Sequence, residues 1–433
     1  MIVRILALLF VFCATAHADH FLETIPLTGN DCISSIITVG SDKILAAGVD
    51  FSANDALLFT ANSNGIVSKV QRISGSAADE AQAITRTSDG GAVIVGSTTS
   101  FGAGLTDGFL MKIRVNGSVA WKKTFGTSGN EHIVGIMEMA DHSLVVLADA
   151  DHDPNLNDIV VAKFNSTGGF IWRKVLSAGT FDHPSDMQRT NDNNIVVAFA
   201  ADLPSGTRSV VAKIASNGAV QWARTYGSSG NHIGLSIAPA SDGTYYFTEI
   251  FTPAGAQIAK TVLSKLDSTG VPIWSRVYGS SGASLNVNVT VAANGNLLLA
   301  GNTTASNGNN SHGVLIGLNQ NGAALWRKRV APDTRPVFLS KPILSTSDGS
   351  ILIAGCTGDR SANNMDSLIL NAAANGTIEG GCSKLLSFPL SNASYSLSSA
   401  TVVLDEIPVP FLHGSPGFQI QTTAATLSPV CAE

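Results

Sequence analysis

Apolar residues along this chain come in short runs of about four to eight, alternating or continuous, separated by polar turn residues at regular intervals. Residues 121–171 show the pattern. Trp121–Phe125 reads as a short strand ending in Gly126, and His132–Met139 as a second strand. After the turn Asp141-His142-Ser143 comes a third, Leu144–Leu147. Ile159–Phe164 is the fourth, and Asn165-Ser166-Thr167-Gly168 closes the unit. The middle turn returns as Asp89-Gly90, Asp242-Gly243, Asn294-Gly295 and Asp348-Gly349. Such dipeptides tolerate positive φ and mark antiparallel pairs. No stretch carries a sustained 3.6-residue apolar period, so the chain is predicted to be all-β.

The unit repeats. Glycine followed four residues later by tryptophan occurs at Gly117/Trp121, Gly168/Trp172, Gly218/Trp222, Gly270/Trp274 and Gly322/Trp326. Gly65 and Gly376 extend the series without the tryptophan, and the spacings between the seven glycines are 52, 51, 50, 52, 52 and 54. These five tryptophans are all the chain has, so the phase is not an accident of composition. Four antiparallel strands in ~50 residues have the size of a β-propeller blade. One blade cannot bury both of its faces, and packing against neighbours does so. Each tryptophan is expected to wedge between blades, with its N–H reaching a backbone carbonyl. The units fall at about 21–68, 69–120, 121–171, 172–221, 222–273, 274–325 and 326–379, and the remaining 380–433 has the length of one more. The predicted fold is a β-propeller of eight four-stranded blades, with seven plus an irregular C-terminal segment as the alternative.

Composition narrows the function. Only 13% of the 433 residues are charged, 26 basic against 32 acidic, while 44% are apolar. That excludes a disordered acidic polymer, a coiled coil and a polybasic nucleic-acid binder. No stretch reaches the ~18 apolar residues of a membrane span beyond the N-terminal leader, so no span is expected. Residues 1–18 read as that leader: Arg4 is the positive start, Ile5 to Cys13 the apolar core, and Ala16-His17-Ala18 the cleavage site. Phe12 stands where a lipidated Cys13 would need a small neighbour. The mature protein is expected in the periplasm or outside the cell.

Four cysteines then remain, Cys32, Cys356, Cys382 and Cys431, an even count that favours two disulfides. None forms a C-x-x-C pair. Strand direction supplies a pairing: Cys32 and Cys356 fall on one rim, Cys382 and Cys431 on the other. Disulfide geometry forbids crossing between rims, so Cys32–Cys356 and Cys382–Cys431 are expected.

The stretch from Ala162 to Trp172 and the Ala…Gly-x-x-x-Trp frame from Ala212 to Trp222 resemble the tryptophan-docking motif of quinoprotein-like propellers. The run Asp89 to Gly96, with Asp107 and Lys112, is similar to repeats in secreted bacterial propeller proteins. The resemblance spans nearly the whole mature chain and implies the fold far more than a function. It implies a quinone with calcium in the dehydrogenases of that group, many of which carry a vicinal disulfide. This sequence has no adjacent cysteines, and their calcium-binding Glu, Asn and Asp find no matching motif here.

No nucleophile elbow, zinc-protease helix, phosphate loop or EF-hand occurs, and no catalytic residue is assigned. Two sets recur with the repeat. Asp55, Asp107, Asp158, Arg208, Lys260, His312 and Asp366 precede each turn glycine by ten residues. They read as strand-start hydrogen bonding or, alternatively, a charged ring on one rim. His132, His183 and His232 lie 11, 11 and 10 residues past Trp121, Trp172 and Trp222. Three imidazoles on adjacent blades are candidate ligands for a transition metal or polar molecule, with three inherited turn histidines as the bland alternative. No other cofactor is expected. The expected function is an exported binding or structural module for a protein, glycan or small ligand. The rival is an enzyme seated in the channel, a quinone-dependent oxidoreductase or a carbohydrate-active hydrolase or lyase.

Overall fold

The computed structural model describes residues 20–431 apart from 28, 154–155, 228, 280–282, 306–310, 333, 341–342, 345–348, 360–361, 379–384, 387–390, 402–404, 407–411, 415–418 and 424–427. The leader and Cys382 lie outside the described residues. Among those residues, no helix is long and apolar enough to cross a membrane.

Seven antiparallel sheets form the molecule, six of them built on four strands taken in chain order. Blade 3 is typical: Asn130–Glu138, Leu144–Asp153, Leu156–Phe164 and Phe170–Ser177. The first strands of neighbouring blades touch one another and surround the axis. Blade 7 takes Val337–Leu339 and Ile343–Leu344 at its inner edge, then Ile351–Thr357 and Asp366–Ala372. Its fourth strand is the N-terminal Phe21–Ile25, with Phe21 opposite Asn371.

Eight blades were expected, and the structure has seven. Residues 380–433 match the repeat in length only. They lay a fifth, outermost strand on every blade, visiting the blades in reverse order. Leu385–Leu386 pairs with Ala324–Val330 of blade 6, Ser391–Tyr395 with Pro272–Gly279 of blade 5, and Ser399–Thr401 with Val220–Tyr226 of blade 4. Asp405–Glu406, Leu412–Gly414 and Gln419–Thr423 continue on blades 3, 2 and 1. Ser428–Cys431 ends on Phe21–Ile25 of blade 7. The physical reason lies in burial: Ser391 to Ser394 would have to pack on both faces in a blade, yet they are exposed. Such a segment can still cap a bare sheet edge, which needs only backbone partners.

The tryptophan-bearing strand also sits differently from the sequence grouping. It is the fourth strand of one blade, not the first of the next: Val119–Gly126 pairs with Asp107–Ile113 of blade 2.

Seven buried apolar clusters fill the seven seams. The one between blades 2 and 3 joins Val95, Leu110 and Phe125 to Ile133, Leu144 and Val160. Trp121, Trp172, Trp222, Trp274 and Trp326 each lie half-buried against the cluster of the seam following their own blade. Trp222 donates Nε1–H to Ser268 O of blade 5, 3.1 Å away. Gly168 turns at φ 78°, and a Cβ there would stand 3.0 Å from the Trp121 ring. The turn and the ring both need glycine.

The ring is also closed covalently. Cys32 on blade 1 is bonded to Cys356 on blade 7, as the strand directions predict. Cys431 stands opposite Leu22.

Candidate functional site

The two rims differ. Tight hairpin turns such as Asp242-Gly243 and Thr269-Gly270 make one; the longer second-to-third-strand loops and the inter-blade connections make the other. The Asp55 series and the three histidines lie on the long-loop rim, at the beginnings of third and first strands.

Strand pairing puts one residue of each first strand at equivalent places around the channel mouth. Glu80 faces Ser97, His132 faces Asp149, His183 faces Ala200, Ile233 faces Ile250, Asn286 faces Asn302 and Phe338 faces Cys356. In blade 1 the place belongs to the disulfide-bonded Cys32. His132, His183, Ile233, Asn286 and Phe338 are exposed there, and Glu80 is half-buried. One side of the mouth is thus ionisable, while the other carries Ile233 and Phe338, each 40% exposed, with Asn286 between them.

His132 is the most elaborately held of these. Asp149 Oδ1 accepts its backbone N–H at 2.8 Å and lies 3.2 Å from its Nδ1. A carboxylate only accepts, so Nδ1 carries the hydrogen, and the side chain as a whole is 60% exposed. Asp149 is oriented in turn by Asn157 Nδ2 at 3.3 Å, which also donates to Asp182 O on blade 4. The Asp149 hydrogen bond, with the charges of Asp149, Glu80 and Glu131 adding, raises the His132 pKa against the opposing effect of burial.

His232 does not join the other two. It stands one register place earlier than His132 and His183, fully buried. Its Nδ1 meets Glu249 Oε1 at 3.0 Å, its Nε2 meets Ser229 O at 3.2 Å, and its ring stacks on Phe251 with 4.6 Å between centroids. Both nitrogens are engaged inside the protein. Among the described residues, no group of three or more His, Cys, Asp and Glu is spaced to hold a metal ion.

The place His232 occupies holds a buried carboxylate in four other blades: Asp31, Asp79, Glu131 and Asp182. Motif reading missed this set. Three of these acids tie down the connection from the preceding blade. Asp79 accepts Gly75 N–H at 2.5 Å, Asp182 accepts Ala178 N–H at 2.7 Å, and Glu131 accepts the Thr127 hydroxyl. Each of the four also faces a member of the Asp55 series across the seam: Asp366 with Asp31, Asp55 with Asp79, Asp107 with Glu131, Asp158 with Asp182. Burial pushes Asp31 and Glu131 up to about 7 and Asp182 to about 6, and the facing carboxylates add to it. Where the series turns basic, Arg208 is buried and spends its N–H groups on the carbonyls of Ser205, Thr207 and Gly230.

No family model matches the chain, and no curated protein matches it. Among solved structures it is similar to a polysaccharide lyase, at 10% identity and a TM-score of 0.49 over 79% of this chain and 90% of that one. It is similar to Drosophila Plexin A in complex with Semaphorin 1b, at 10% and 0.43 over 82% and 87%. A glucose dehydrogenase follows at 12% and 0.39 over 67% and 95%. None of these likenesses carries its chemistry to this chain.

Proposed function

We propose that this protein is an exported binding module that seats a glycan or similar small amphipathic ligand at the channel mouth of its long-loop rim. The observation that supports it is the ring of equivalent first-strand residues, with Glu80, His132 and His183 on three consecutive blades and Ile233 and Phe338 opposite. A sugar presents hydroxyls on its edge and C–H groups on its face. Glu80, His132, His183 and Asn286 suit the first, and Ile233 and Phe338 the second. Export is supported by the leader sequence and by the Cys32–Cys356 disulfide, which persists in an oxidising compartment.

A second reading, an enzyme, is favoured by one geometry: Asp149 holds Nδ1 of the exposed His132 ring, the arrangement of an oriented general base. One experiment addresses both. The purified protein is screened on a glycan array, and hits are tested for new reducing or unsaturated ends. Replacing Glu80, His132 and Phe338 together by Ala should weaken binding by about tenfold or more. Asp242→Ala on the hairpin rim should leave it unchanged. Retained binding in the triple variant removes the channel-mouth site. Turnover lost in His132→Ala with binding kept establishes the enzyme instead.

A further inference from the structure

We propose that the seam between blades 2 and 3 binds a hard divalent cation through the carboxylates of Asp107 and Glu131. The site is separate from the channel mouth. Asp107 begins the third strand of blade 2 and is 2% exposed, and Glu131 lies in the first strand of blade 3 at 0%. Glu131 Oε1 accepts the Thr127 hydroxyl, whereas Oε2 is buried without a hydrogen-bond partner. What Oε2 faces is shown by Gly126. A Cβ on that residue would stand 2.2 Å from Asp107 Oδ1 and 2.5 Å from Glu131 Oε2. The two oxygens are therefore less than about 5 Å apart, a gap that a single cation with oxygens at 2.3–2.6 Å spans.

The seams on the two sides of blade 1 carry a base that this one lacks. On blade 1, Arg72 neutralises Asp50 and Asp55 at 2.5 and 3.3 Å, and on blade 7, Arg335 meets Asp366 at 2.7 Å. Among the described residues, no lysine or arginine reaches Asp107 or Glu131. Asp107 spends Oδ1 on Ala103 N–H at 3.1 Å and Oδ2 on Gly104 N–H at 2.9 Å. Two acceptor groups thus confront each other in a buried seam, which is unfavourable until a positive charge enters between them. Oxygen-only donors favour a cation of the calcium or magnesium type over zinc or copper. With only two carboxylates, the remaining ligands fall to loop carbonyls and water. The bound ion would join the 102–106 loop to the connection at Thr127, stiffening the rim beside His132.

The test uses the full chain, stripped with chelator at pH 8. Calcium chloride is titrated calorimetrically, and thermal unfolding is followed with and without millimolar calcium. We expect a saturable binding heat and a higher Tm in the wild type. Glu131→Gln should weaken calcium binding by about tenfold or more. Its calcium-free Tm should equal or exceed that of the wild type, because the amide removes one of two repelling charges; this shows that the variant folds. Asp107→Asn should behave in the same way. A wild type whose Tm and titration ignore calcium overturns the proposal, as does a calcium response that survives in both variants. A wild type that ignores calcium but whose acid stabilisation is clearly reduced in Glu131→Gln overturns it in favour of a shared proton.

Discussion

Trp222 reaches across a seam in three ways at once. Its N–H is bonded to Ser268 O, its ring packs on Tyr245 at 6.0 Å, and Gly270 closes beneath it. Trp222→Ala should therefore lower stability by about 3 kcal/mol, the low end for a large aromatic because the ring is only half-buried. Trp222→Phe keeps the packing and should lose about 1 kcal/mol, the worth of one hydrogen bond. Denaturant unfolding of both variants checks this; two unchanged midpoints would show that the seam does not depend on the residue. The tryptophans were legible because their phase never slips. The histidines were less so. Glu131, Asp182 and His232 each stand ten residues past a tryptophan, while His132 and His183 stand eleven past theirs. In a strand, one residue of slip exchanges faces. Counting strictly would have grouped His232 with the buried acids and kept it apart from the two exposed imidazoles. The Asp55 series was legible as a phased set, but the acids facing it were not, since they come from another blade.

The fifth strands show why the blade count was missed. Hydrophobic alternation marks a strand that is buried on at least one face, and it marked all four strands of most units. Gln419–Thr423 or Ser391–Tyr395 needs no such pattern, because backbone pairing with the neighbouring strand is enough to hold it. Length alone then made 380–433 look like one more unit. Deleting residues 385–433 should uncover the outer edge of every blade at once. The expected result is association through those edges and a lower Tm, visible by light scattering and calorimetry. A monodisperse, equally stable truncated ring would show that the outer strands do not guard the edges. At the junction of blades 7 and 1, closure is redundant. The disulfide closes a loop with a sequence separation of 324, worth about 6 kcal/mol at most in the chain-entropy model. The Phe21–Ile25 strand already constrains the same ends.

For the molecule as a whole, pH should act in an unusual direction. Burial raises Glu23 and Asp31 to about 7 and Asp182 to about 6; Asp366 faces Asp31, while Asp158 and Asp202 face Asp182. Each binds its proton more tightly folded than unfolded. Their contribution is fully present at the low-pH end, below the unfolded carboxylate range, and is lost as pH rises through 6 to 7. Carboxylates shifted the other way, such as Asp242 at about 2 beneath its Thr244 and Lys265 hydrogen bonds, keep their stabilising effect until the medium is far more acidic. One pKa unit corresponds to about 1.4 kcal/mol, so even a strongly screened sum over the three raised groups is about 3 kcal/mol. Tm measured in chelator should climb by several degrees between pH 8 and pH 5; a flat or falling curve would refute the assignment. The closure of blade 7 has a different consequence, in time. Phe21 finds its partner Asn371 only after about 350 further residues have been made, which at 5–20 residues per second takes about 20–70 s. Until then Phe21, Leu22 and Ile25, all of them core residues in the finished ring, have no sheet to join. The first strand synthesised is among the last to be placed, and it has to be kept from pairing elsewhere in the meantime.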